Sequence, residues 1–144
     1  MSDVEAYDAR VRAIRAYNQP ILADFRAWLE QSGLGEKTVK THVDNIDFFT
    51  KYLVYSSPLK KLDEADSGDV WMFLADWFPR KALWASVTSI RLYFASFKKF
   101  FQWMGETGRV TQETVAAVLT TLKAGREEFL EAVSDYNSYP RFTQ

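Results

Sequence analysis

Seven large apolar residues recur at helical spacing between Ile90 and Met104: Ile90, Tyr93, Phe94, Phe97, Phe100, Phe101 and Met104. At 100° per residue they fall on one broad stripe, which predicts a long amphipathic helix over 86–104 with a buried aromatic face. The opposite side carries Thr88, Arg91, Ala95, Lys98, Lys99 and Gln102, and no acid at all. Ala95, small and central, leaves room there for a close approach. A solvated helix side usually mixes signs and gains ~0.2–0.5 kcal/mol per i,i+4 ion pair. Here the cations have no acid on their own helix. An external anion would relieve their mutual repulsion, whereas the ordinary alternative is a solvated face.

The rest of the chain follows the same period. With 144 residues, 47% of them hydrophobic and 16% aromatic, it can bury a sizeable core and is not a disordered segment. Helices are expected over about 4–17 (Val4, Val11 and Ile14 on one face), and from Pro20 through Trp28 and Leu29 to the Ser32-Gly33 stop. A third runs from a Gly35 cap to Tyr55, where Ser56-Ser57-Pro58 ends it. Asp66 or Ser67 caps a short helix over 69–78, which Pro79 follows. After 86–104, which ends near Gly105 or Gly108, come helices over about 111–123 and 125–135, with the tail YNSYPRFTQ extended. No period-2 alternation appears. The expectation is an all-α fold, a compact bundle of four to five helices with extra helices at both termini.

Charge is segregated along the sequence. The net charge is −1, yet residues 37–61 carry +3, residues 62–76 hold five acids and no base, and residues 77–105 carry +5 with no acid. Two segments own the positive share. On the helix expected from Gly35 to Tyr55, Val39, Val43, Ile46, Phe49 and Leu53 form the buried stripe. Lys37, Lys40, Thr41, Asp44, Phe48, Lys51 and Tyr55 face outward, and aromatics among cations suit stacking on sugar or base.

Other chemistries find little support. Zero cysteines removes disulfides and thiolate ligands, and a single histidine, His42, cannot build a typical zinc site. His42 sits at the edge of the buried stripe and reads as a packed residue. DEADSGD at 63–69 has the look of a calcium loop, but Ala65 and Leu74 stand where ligands belong, so helix capping explains it better. No GxxxxGK[ST], GxGxxG or GxSxG stretch occurs. No apolar run approaches the ~18 residues of a membrane span, and the N-terminus lacks a secretory h-region. The expected location is the cytoplasm.

FRAWLEQSGLGEKTVKTHVDNIDFFTKYL, followed by SVTSIRLYFASFKKFFQWMGETGRV, resembles the SAM-like core-binding domain of tyrosine recombinases and phage integrases. The likeness covers about residues 20–112. It rests on a Gly-Leu-x-x-x-Thr entry into a helix, an acidic connector, and a long helix ending in Phe-Phe-x-Trp before a Gly turn. It implies a division into an N-terminal helical extension (1–19), a core-binding domain (20–122), and a C-terminal helix and tail (123–144). In that family two helices clamp duplex DNA, and their counterparts here are the third and the long one.

The resemblance therefore points to Lys37, Thr38, Lys40 and Thr41, with Ser86, Thr88, Arg91, Lys98 and Lys99, as DNA-contacting residues. Lys123 reads as a cation off this face. Where the family often has Ser, this chain has Gly35. The catalytic tyrosine, arginine and histidine set has no counterpart, so the expectation is a non-catalytic DNA-binding domain with no cofactor and no metal. Its implied partners are duplex DNA and a catalytic recombinase domain or other recombinase subunits, not a membrane. The alternative is a helical protein-interaction module that keeps the fold without DNA binding, presenting Phe48 and Trp103 as exposed aromatics.

Overall fold

The computed structural model describes residues 2–138. Every element is helical, and no strand occurs among the described residues. The chain divides after Ala65 into two compact units. That boundary falls inside the stretch 20–122 expected to form one core domain.

The first unit is a helical hairpin. Helix α1 (Asp3–Gln31) starts at Ser2, whose Oγ accepts the Glu5 N–H (3.1 Å), and Asp3 and Glu5 place negative charge in the first turn. The sequence predicts two helices divided near Pro20, but α1 runs through Pro20 without a break. The physical reason is the apolar register. Val11, Ile14, Ile21, Leu22, Phe25 and Leu29 keep one buried stripe on both sides of an exposed proline, and that packing outweighs one lost hydrogen bond. Gly33, at φ 83°, turns the chain out of α1.

Helix α2 (Glu36–Tyr55) returns from Gly35 and packs on α1. The Tyr7 hydroxyl donates to the Val54 carbonyl (2.6 Å), which places the start of α1 against the end of α2. Leu62 N–H donates to buried Asn18 Oδ1 (3.0 Å), and Lys61 lies over the Tyr17 ring (4.4 Å), so the connector beyond α2 folds back onto α1.

The second unit opens with a reciprocal cap. Asp66 Oδ1 accepts the Asp69 N–H (3.1 Å) and Asp69 Oδ2 accepts the Asp66 N–H (3.0 Å), the structural use of the DEADSGD segment. Helix α3 (Ser67–Met72) widens into a π-helical turn at Phe73–Trp77 and continues as α4 (Phe78–Lys81). Pro79, expected to follow a helix end, lies inside this continuous helix instead, directly after the π-helical turn. Helix α5 (Val87–Glu106) is capped by Ser86, and α6 (Gln112–Ala124) by Thr111. Helix α7 (Arg126–Ser138) runs three residues further than expected, through positions 136–138 of the supposed extended tail. The remaining tail positions, 139–144, lie outside the described residues.

Phe73, Phe78, Tyr93 and Phe97 form the centre of this unit, with ring centroids 4.8–5.8 Å apart in tilted and edge-on arrangements. The stripe read from the sequence, Ile90 to Met104, is buried at every position. Where α5 meets α6, a Cβ on Gly105 would stand 2.5 Å from Val115 Cγ2, so only glycine permits that approach. Among the described residues no helix is long and apolar enough to cross a membrane.

Candidate functional site

The outward side of α5 is not a bare ridge. Arg91, Ala95 and Lys98 form one wall of a groove of about 540 Å³, and Leu119, Leu122, Lys123 and Arg126 form the other, over Phe94. Arg91 and Lys98 are two turns apart, about 10 Å along the helix axis. The groove's four cations are all exposed, and its lining contains no acid. Among the described residues none of the four has a carboxylate within ion-pairing reach.

Local sequence explains how the second wall forms. Leu119 and Leu122 line the groove from α6, Lys123 shares Leu119's side of that helix one turn later, and Arg126 joins them from the first residue of α7. Gly125 makes the corner between α6 and α7 tight enough for this, because the Phe129 ring sits where a side chain would begin: a Cβ there would meet Cζ at 2.6 Å. The Arg126 guanidinium then lies over the Phe94 ring at 5.0 Å, and Phe94 packs on buried Phe129 (6.1 Å).

The residues expected at the site divide sharply. Arg91 and Lys98 come together in the groove. Thr88 is exposed one turn before Arg91, and Lys99 is half-buried beside Lys98. Ser86 is engaged by its own helix: its Oγ accepts the Ser89 N–H (3.0 Å) and its N–H donates to Ser89 Oγ (2.8 Å). Lys37, Thr38, Lys40 and Thr41 belong to α2 of the first unit, and all but the half-buried Thr41 are exposed. Lys40 is held by Asp44 at 2.6 Å, and Thr41 Oγ1 donates to the Lys37 carbonyl (3.0 Å). A groove on that unit mixes signs, lined by Arg15, Asp47 and Lys51 together.

No family model, curated protein or solved structure matches this chain. The geometry alone therefore distinguishes its surfaces.

Two sequence readings need correction. Lys123 is not off the cationic face; it lines the same groove as Lys98. Trp103, expected as an exposed aromatic, is buried, with the Arg109 guanidinium 4.5 Å above its ring. Phe48 is half-buried. Arg126 escapes the sequence reading because it lies beyond Gly125 in a segment whose net charge is negative. The i,i+4 spacing puts Lys123 on the side of α6 that carries Leu119, but that this side faces α5, and that Arg126 joins it from α7, emerges only with the helices packed.

Proposed function

We propose that this chain is a non-catalytic duplex-DNA-binding module of the tyrosine recombinase core-binding type. The observation that carries the reading is the groove on the second unit: Arg91, Lys98, Lys123 and Arg126 around one depression with no carboxylate in its lining. Four uncompensated cations around one groove raise the local potential far above what a net charge of −1 suggests, and a phosphate backbone is the polyanion that meets such a row. Phosphate contacts position a protein without reading sequence, so binding is expected to be weakly selective, in the ~10⁻⁴–10⁻⁶ M range at physiological salt.

The exposed hydroxyl of Thr88 adds a neutral donor one turn before Arg91. In the first unit, α2 supplies Lys37 and the exposed Thr38 as further contacts, and Lys40 contributes less because Asp44 already holds it. The order of helical elements supports the recombinase resemblance. The test is an anisotropy titration of a labelled duplex across a salt series. A linear fall of log affinity with log salt is the expected result; salt-independent affinity, or no binding at low salt, overturns the proposal.

A further inference from the structure

We propose that the cationic groove also receives a second copy of this chain, through the acidic, apolar face on the far side of the same unit. This goes beyond DNA binding and does not depend on it. Phosphates explain the four cations, but they make no use of the groove's apolar floor, Phe94, Ala95, Leu119 and Leu122. An occupant that uses the whole surface is both anionic and apolar.

The second unit carries such a surface. Trp71 and Met72 are 37% and 42% exposed, and they border a depression of about 480 Å³ with Glu128 and Glu131. The third carboxylate there, Asp76, is already held by Arg80 at 2.9 Å, so the two glutamates supply the free negative charge. Both are exposed, and among the described residues neither has a cation within ion-pairing reach. The two surfaces are opposite in charge, and each has an apolar component, with the large side chains of Trp71 and Met72 on the acidic one.

They also point apart. Arg126 and Glu128 are separated by about 200° around α7, so one molecule cannot close the two faces on itself. The acidic face of one copy meets the groove of the next, a head-to-tail contact that builds rings or chains rather than a two-fold dimer. Because the patches are small, the association is weak and concentration-dependent. DNA and a neighbouring copy use the same cations, so duplex DNA displaces the neighbour.

Sedimentation velocity of the full chain over a concentration series tests this. The expected result is a sedimentation coefficient that rises with concentration at low salt and falls back at high salt. Charge reversal at two of the groove's four cations (Lys98→Glu with Lys123→Glu, which cancels its net charge) and charge reversal on the acidic face (Glu128→Lys with Glu131→Lys) should each abolish the rise. An equimolar mixture of the two variants should regain association, because the unaltered acidic face of the groove variant still meets the unaltered groove of the face variant; unfolded variants could not do so. Leu119→Gln, which removes floor without changing charge, should weaken association by about tenfold.

A parent that stays monomeric at every concentration overturns the inference, as does association that survives both reversals or is indifferent to Leu119→Gln. DNA binding measured on the same samples is separate. A monomer that binds DNA defeats this inference alone, and a self-associating chain that ignores DNA defeats only the DNA reading.

Discussion

Ser86, expected among the DNA-contacting residues at the first position of a helix over 86–104, is the cap that precedes α5 and is bound to Ser89 in both directions. Ser86→Ala is therefore expected to cost about 1 kcal/mol of stability, measured by chemical denaturation, whatever its effect on DNA. Lys40 is a parallel case. A spacing of four residues from Asp44 is visible in the sequence, and the pair forms at 2.6 Å. Its contact with phosphate would first have to break that pair, so Lys40→Ala should change the salt slope of DNA binding by less than one full contact, about 0.9. Lys123 and Trp103 were not legible, for different reasons. Assigning Lys123 to a face requires knowing how α6 packs on α5, which no one-helix wheel contains. Trp103 lies at the margin of its stripe, where the Arg109 guanidinium from the following turn closes over it.

At the scale of elements the helices were largely readable, because most have a local start signal and a 3.6-residue stripe. The failures cluster at prolines. Local signals make Pro20 a beginning and Pro79 an aftermath, yet both lie inside helices. Such signals weigh the missing N–H, whereas a continuous buried face can outweigh it. Since Pro20 is exposed within α1, Pro20→Ala should raise stability by about 1–2 kcal/mol, the regained hydrogen bond being partly offset by a freer unfolded chain. A result at or below zero would mean that the helix is built around the proline. Gly105→Ala works in the other direction. Alanine is the better helix former by roughly 1 kcal/mol, but its methyl would meet Val115 at 2.5 Å, so thermal unfolding should show a net loss of about 1–2 kcal/mol. That glycine reads as a stop signal in the sequence, and its packing role emerges only with α6 in place.

Across the whole molecule, the segregation of charge is the most informative property of the sequence, and it singles out the segments that become α2 and α5. What it misses is the contribution of a net-acidic segment, which donates Lys123 and Arg126 to the basic groove while turning Glu128 and Glu131 to another side. Segment sums average over faces, and helices separate them. The central claim is that the groove's cations meet phosphates, and it is tested most directly by the salt slope of duplex binding for the parent and for Lys98→Ala with Lys123→Ala. Both positions are exposed, and alanine favours helix, so circular dichroism should show the fold intact. Each lost contact lowers the slope magnitude by about 0.9, so the double variant is expected to lie nearly two units flatter and to bind every duplex more weakly. A folded double variant with the parent's slope and affinity would contradict the claim.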